Sequence, residues 1–372
     1  MRHLIGLDLS CLEREPETGV ERYARRLVEH LPLVAEDLSI VALVRSGRPV
    51  PSVPAPGCVE IADSILPRPL WRETRLPAVI AKLKIALLHA PVAALPMRLS
   101  IPRVATIHDV DPPMGRPAPG WFSKSHLRLF HALAAAPRTI VPPSPPRRAL
   151  LAKDPSAEER IRVIPHGVDR DFKPDGLPLK RDRYRLQPRT PYLLWVGTVR
   201  ERKDPLVLVR AFAELAARPE FEDLHLLMCG ELQMDEAVLR APLYQADINR
   251  RFLLHGYAAR EDLPDLYREA EAVIIPSRLE GFGLPALEAM ACGTPLLVSR
   301  DPALVEVVGG GAMTFPIGDH EALAADLARI LPPSEQRENL RRQARDRAAQ
   351  YSWTASALAH AEVYREALQA PH

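Results

Sequence analysis

The amino-acid sequence predicts an α/β protein built from two doubly wound, parallel-sheet domains in succession. Three observations carry that prediction. The chain has 372 residues, more than one ordinary hydrophobic core organises, so two domains of roughly 100–200 residues each are expected. Short apolar runs alternate with longer amphipathic ones, as buried strands do with the crossover helices that join them. The alternation occurs twice, on either side of a segment at 167–191 that is rich in proline and charge and has no sustained period.

In the first series the expected strands are 3–7, 39–44, 85–89, 103–107 and 139–141, and the expected helices are 20–31, 76–83, 126–135 and 146–153. In the second, strands are expected at 192–196, 225–229, 252–255, 272–275 and 295–299, with helices at 205–217, 235–245, 261–269 and 285–292. The segment 167–191 between them reads as a linker with a hinge. The pattern after Ala322 is helical to the end, and 354–368 places Ala, Glu and Leu at helical spacing. Gly309, Gly310 and Gly311 read as a turn, since no GxGxxG pattern is present.

Composition bounds the function. With 47% hydrophobic and 26% charged residues the chain falls in the globular range, which excludes wholesale disorder. Cys11, Cys58, Cys229 and Cys292 form no CxxC pair, so neither a disulfide framework nor a zinc site is indicated, and a reducing cytoplasm is expected. The opening residues reach Asp8 too early for the apolar core of a secretory signal. The most apolar stretch, 76–97, is interrupted by Lys82, Lys84, His89, Pro91 and Pro96, short of the roughly 20 clean residues a membrane span requires. Net charge is +2, divided as 25 Lys+Arg against 18 Asp+Glu (+7) over residues 1–173 and 24 against 29 (−5) over the rest. A basic first half suits an anionic lipid or a phosphorylated acceptor.

Open parallel sheets bind ligands beyond the carboxyl ends of their strands, so residues just after strands carry the functional expectation. The run Ile275-Pro-Ser-Arg-Leu-Glu280-Gly-Phe-Gly-Leu-Pro285-Ala-Leu-Glu288 leaves a buried strand through flexible glycines and enters a helix at a proline. The amides around Phe282, Gly283 and Leu284 then form an anion site at a positive helix end. Glu288, one turn in, suits neutral hydroxyls such as those of a ribose. A second run, Trp195-Val-Gly197-Thr198-Val-Arg-Glu-Arg202-Lys203, places two cations after a strand-ending glycine, where they can clamp a diphosphate. A third strand end delivers His108 and Asp109. Gly19 and Tyr23 lie in a loop and helix start after the first strand.

The Glu280-x7-Glu288 spacing within EGFGLPALEAMACG resembles the signature of glycosyltransferase family 4, which has the GT-B fold, two Rossmann-like domains facing across a cleft. The resemblance extends to the Gly197 to Lys203 loop, to Thr106-Ile-His108-Asp109 and to Ile164-Pro-His166-Gly167 before the linker. It implies a retaining transfer from a nucleotide sugar, with Glu280 at the donor sugar, Glu288 on the ribose, Arg202 and Lys203 on the diphosphate and His108 at the transferred sugar. Gly19, Gly197, Thr198, Phe282, Gly283 and Leu284 fall on the donor side by the same resemblance, and Tyr23 and Asp109 on the acceptor side. Thr198 departs from the arginine that many members carry directly after the glycine, and the first loop lacks the usual second glycine.

The domains so implied are 1–173 for the acceptor, with helix 354–372 packing back on it, and 174–353 for the donor. The resemblance is nearest to bacterial mannosyltransferases of surface polysaccharide assembly, which makes GDP-mannose the expected donor and a lipid-diphosphate-linked or oligosaccharide acceptor the expected partner. No cofactor and no nucleic acid are expected. No DxD pair follows a strand as metal-dependent sugar transferases require, apart from Asp109-Val-Asp111 beside the histidine, so no metal is expected either. Alternative readings are a sugar-nucleotide epimerase, a UDP-sugar transferase or a non-catalytic nucleotide-sugar-binding subunit. Peripheral docking on the inner face of the cytoplasmic membrane is expected through Arg68, Trp71, Arg72 and Arg75 and through Trp121, Phe122, Lys124 and Arg128.

Overall fold

The computed structural model describes residues 2–13, 18–45, 58–61, 66–92, 94–96, 99–108, 138–142, 147–148, 151 and 154–370. The chain divides into two compact units, Met1–Gly167 with Ser352–His372, and Val168–Tyr351. Each is a Rossmann-like layer of helices around one parallel sheet.

In the first unit the strands are β1 (His3–Asp8), β2 (Leu38–Arg45), β3 (Cys58–Ile61), β4 (Leu87–Ala90), β5 (Arg103–Thr106), β6 (Arg138–Val141) and β7 (Ile161–Val163). Their order in the sheet is β3-β2-β1-β4-β5-β6-β7, all parallel. The chain therefore winds outward from β1 to one edge, returns, and winds from β4 to the other, so β1 and β4 flank the point where the order reverses. Helix Gly19–Val34 turns Tyr23, Ala24, Leu27, Val28 and Leu31 inward, a 3–4 residue spacing that forms one apolar stripe. Helix Trp353–Gln369 starts at Ser352, whose side chain accepts from the Ala355 amide at 3.0 Å, and it buries Trp353, Ala357, His360, Ala361 and Tyr364.

In the second unit the strands are β8 (Tyr192–Val196), β9 (His225–Cys229), β10 (Phe252–His255), β11 (Ala272–Ile275), β12 (Leu296–Ser299) and β13 (Met313–Phe315), in the order β10-β9-β8-β11-β12-β13. Every residue of β11 and β12 is buried, because helices cover both faces of a parallel sheet and leave no solvent face to alternate with. The reversal lies between β8 and β11, which pair through Leu193 with Ala272 and Leu194 with Val273.

Strands β8, β9, β10 and β11 have the bounds the sequence predicts. The short strands β3, β7 and β13 and the helix Pro302–Val308 were not expected, since runs of three to seven residues hold too few repeats to reveal a period. The segment 167–191 is no free linker. Phe172 lies edge-on to Tyr267 with ring centroids 5.8 Å apart, the Tyr184 hydroxyl donates to Asp262 at 2.9 Å, and Arg181 donates to Glu269 at 2.9 Å, all within the second unit. Its prolines and charges serve docking to a surface that has no sequence period. Expected helix 126–135 lies outside the described residues, as does most of 146–153. The three glycines end the helix Pro302–Val308 in a turn, with Gly309 at φ 51°.

Candidate functional site

The second unit collects its functional side chains at the carboxyl ends of β8 and β11, the two strands that flank the reversal. Gly197 leaves β8 with φ 149°, and Gly230 leaves β9 with the same value. A Cβ on Gly230 would lie 1.7 Å from the Gly197 carbonyl oxygen, so the two backbones meet as closely as they do only because no side chain intervenes. The loop beyond β8 is then tied to the loop beyond β9 by Val199, whose amide donates to Glu231 O at 2.8 Å and whose carbonyl accepts from Gln233 at 2.9 Å.

Arg202 and Lys203 occupy a 3-10 turn, Glu201–Lys203, that ends at Asp204 in the left-handed region (φ 48°) before helix Pro205–Ala216. The loop beyond β11 joins it twice. The Arg278 amide donates to the Arg202 carbonyl at 2.9 Å, and the Arg278 guanidinium pairs with Asp204 at 2.7 Å. These contacts bring the Lys203 ammonium onto the Glu280 carboxylate, which also accepts from the Ser277 hydroxyl at 2.7 Å. Burial alone would raise the Glu280 pKa, but Lys203, Ser277 and Arg202 together hold it below the usual value. Burial lowers the Lys203 pKa and Glu280 opposes that shift. The lysine side chain retains 16% of its exposure against 6% for the glutamate, so the cation is the more accessible partner.

Helix Leu284–Cys292 opens at Gly283, whose φ of 92° is a glycine conformation and whose absent Cβ would lie 2.6 Å from Leu304 Cδ2. Its N-terminal end, with Pro285 in the first turn, carries the partial positive charge that favours an anion. The Phe282 ring is buried edge-on against Tyr351, centroids 6.0 Å apart, so what this residue can offer a ligand is backbone. Glu288 sits on the same helix with 3% exposure and accepts from the Tyr267 hydroxyl at 2.9 Å. Thr198 is half-buried beside Gly197. The structure thus brings together Gly197, Thr198, Arg202, Lys203, Glu280 and the helix end with Glu288, chemistry suited to a diphosphate flanked by hydroxyls.

Sequence reasoning missed Ser277, Asp204, Arg278, Tyr267 and Gly230, which hold the named residues in place. Of these only Gly230, a glycine directly after a strand, left a local signal. The others act through contacts spanning 3 to 76 positions.

In the first unit, His108 follows β5, is half-buried, and donates from Nε2 to the Pro91 carbonyl at 2.7 Å. Gly19 is exposed at the start of its helix, where the Thr18 amide donates to Glu21 at 2.9 Å. Asp109 lies outside the described residues. Two expectations are corrected here. Tyr23, assigned to the acceptor side, has 0% exposure, and its hydroxyl is engaged by Thr106 at 2.8 Å and His360 at 2.7 Å. Its helix turns it into the core. Trp71, assigned to membrane docking, also has 0% exposure, with the Arg45 guanidinium 5.5 Å above its ring. It anchors helix Arg68–Leu83, and Arg72 beside it pairs with Asp8 at 3.5 Å. Trp121, Phe122, Lys124 and Arg128 lie outside the described residues.

Comparison with known proteins agrees with the two-unit division. Residues 178–347 match the model for glycosyl transferases group 1, and residues 18–172 match the model for glycosyltransferase family 4. D-inositol 3-phosphate glycosyltransferase of Thermobispora bispora is 34% identical over 226 residues, 58% of this chain and 52% of that protein. Its counterpart in Corynebacterium jeikeium is 33% identical over 222 residues, 57% of this chain and 53% of that protein. The chain spans about half the length of these curated relatives. Sucrose-phosphate synthase from Thermosynechococcus elongatus shares the fold with a TM-score of 0.76 at 23% identity, covering 98% of this chain and 99% of that one. Anabaena HepE in complex with UDP and glucose does so at 0.75 and 17%, covering 98% and 100%. The two units are Rossmann-like domains, and the chain shares the GT-B fold of these structures.

Proposed function

We propose that the protein is a glycosyltransferase that retains configuration and takes its sugar from a nucleoside diphosphate donor. The observation that carries this reading is the meeting of Lys203 and Glu280 at the carboxyl ends of β8 and β11, beside the N-terminus of helix Leu284–Cys292. A cation, a helix end and a buried carboxylate within one loop cluster match a diphosphate leaving group next to a polar sugar. Arg202 and Lys203 neutralise the leaving diphosphate without requiring a divalent ion, while Glu288 binds ribose hydroxyls. His108 contacts the transferred sugar, and catalysis is mainly positional and electrostatic.

For the donor we propose GDP-mannose and for the acceptor a lipid-linked or oligosaccharide alcohol of surface polysaccharide synthesis, on the resemblance of the Gly197 to Lys203 and Thr106 to Asp109 segments to such mannosyltransferases. A second reading is favoured by the relatives named D-inositol 3-phosphate glycosyltransferase and by HepE with UDP, namely a UDP-sugar donor and a phosphorylated cyclitol acceptor. Thermal shift with GDP, UDP and ADP decides the base, and radiolabelled transfer from the matching sugar nucleotide to each acceptor class decides the rest. Absence of stabilisation by every nucleotide would refute the donor site.

Peripheral attraction to an anionic membrane remains part of the proposal through the charge of the first half, without insertion of Trp71. Sedimentation with anionic and neutral liposomes at low and high salt tests it, and binding indifferent to lipid charge would remove it. Among the described residues no helix is long and apolar enough to cross a membrane.

A further inference from the structure

The first unit contains a buried chain of hydrogen bonds that links four elements. Tyr364 and His360 come from helix Trp353–Gln369, His89 from β4, Thr106 from β5 and Tyr23 from helix Gly19–Val34, all at 0% exposure. The contacts run Tyr364 hydroxyl to His89 Nδ1 at 2.6 Å, His89 Nε2 to Thr106 Oγ1 at 2.9 Å, Thr106 Oγ1 to the Tyr23 hydroxyl at 2.8 Å, and Tyr23 hydroxyl to His360 Nε2 at 2.7 Å. His360 Nδ1 closes the chain on the Ser356 carbonyl at 2.7 Å.

The end of the chain fixes every proton in it. A carbonyl oxygen only accepts, so His360 Nδ1 carries a hydrogen, and in a neutral ring Nε2 is then an acceptor. Tyr23 must donate to that nitrogen, so Thr106 donates to Tyr23. Thr106 accepts from His89 Nε2–H, which leaves His89 Nδ1 to accept from Tyr364. With both rings neutral, no other order makes all five bonds. Among the described residues, Tyr23, Tyr364 and Thr106 meet these two imidazoles and His108 and His166 act on them electrostatically, none of them acidic. Burial holds both histidines below the usual imidazole pKa.

Tyr23 is also the floor beneath His108. The two rings meet edge to face, with centroids 4.9 Å apart at 79°, and the His108 ring is also held by the bond to the Pro91 carbonyl. We propose that this proton-ordered chain fastens the last helix to β4, β5 and helix Gly19–Val34 within the first unit and makes Tyr23 a positioning residue for His108. The positioning half rests on the reading of His108 as a sugar contact. The fastening half does not, since it concerns only the hydrogen-bonded side chains.

The test uses the full chain labelled with ¹⁵N at histidine. Long-range proton–nitrogen correlation at neutral pH is expected to show His360 as the Nδ1–H tautomer and His89 as the Nε2–H tautomer, assigned by loss of each signal in His360→Gln and His89→Gln. An imidazolium at either position, or a reversed tautomer, overturns the chain. This measurement needs no substrate and no variant beyond those used for assignment. In Tyr23→Phe, which keeps the ring and loses the hydroxyl, the His360 Nε2 and His108 resonances are expected to move. Transfer turnover is expected to fall about tenfold to a hundredfold, with donor KM within about twofold. Unmoved His108 resonances and unchanged turnover overturn the positioning role. A wild-type chain with the expected tautomers but no transfer refutes the glycosyltransferase reading, and the positioning half with it, while the fastening chain stands.

Discussion

Lys203 and Glu280, 77 positions apart in the chain, meet as a part-buried ion pair at the point where the second sheet reverses its strand order. Neither residue's neighbours in sequence supply the partner. The pair leaves the lysine the more exposed of the two, while the carboxylate is also anchored by Ser277; in the proposed donor site the diphosphate shares the ammonium.

Removing one partner should therefore cost more than removing an ordinary surface pair. Lys203→Met leaves Glu280 buried without its cation, and a loss on the order of 3 kcal/mol is expected in urea unfolding. Donor affinity should fall as well. A variant as stable as the parent would show that the pair is screened by solvent.

Glu280 and Glu288 should separate kinetically. Glu288→Ala is expected to raise donor KM chiefly, since it loses hydroxyl contacts made in ground and transition states alike. Glu280→Ala should lower kcat by about a hundredfold through displacement of Lys203. Steady-state kinetics over donor concentration checks both, and equal loss of kcat with unchanged KM in the two variants contradicts the assigned roles.

GDP should raise the melting temperature progressively with concentration, in EDTA as in buffer, if Arg202, Lys203 and the helix end carry the diphosphate. Differential scanning fluorimetry with and without chelator reads this directly. Stabilisation that vanishes in EDTA would mean that a metal takes part.

Gly230→Ala should destabilise the second unit. The new Cβ would meet the Gly197 oxygen at 1.7 Å, and φ 149° adds strain of about 1–3 kcal/mol before any relief of that overlap. Loss of nucleotide binding should accompany it, because the loop bearing Arg202 and Lys203 leaves from Gly197. Isothermal titration with GDP, beside a urea melt, tests both parts.

Acid should weaken the first unit before carboxylates titrate. Burial lowers the His360 pKa from 6.5 to about 4 and moves His89 and His166 in the same direction. The unfolded chain thus binds protons that the folded one refuses. The stability due to His360 is complete above pH 6.5 and is lost as pH falls toward about 4, up to about 3 kcal/mol. Urea midpoints should decline between pH 6.5 and 4.5 in the parent, and less steeply in His360→Gln. A flat profile over that interval would show that these rings are hydrated.

By itself the sequence determined the two-domain α/β class, most of the strands and the loops that carry Gly197, Lys203, Glu280 and Glu288. Those features are local: a buried strand is a continuous apolar run, and a glycine or proline after it marks where the backbone turns toward a ligand. Tertiary structure alone decided what each side chain meets. The resemblance of its loop to a family motif put Tyr23 on the acceptor side, whereas its burial against Thr106 and His360 depends on a helix more than 300 positions later. Trp71 beside arginines read as a membrane anchor until its helix was seen to turn it inward. The segment 167–191 resembled a linker because its contacts with Asp262, Tyr267 and Glu269 are made by scattered charges and aromatics. Periodicity records which face of an element is apolar, but it holds no information about which other element covers that face.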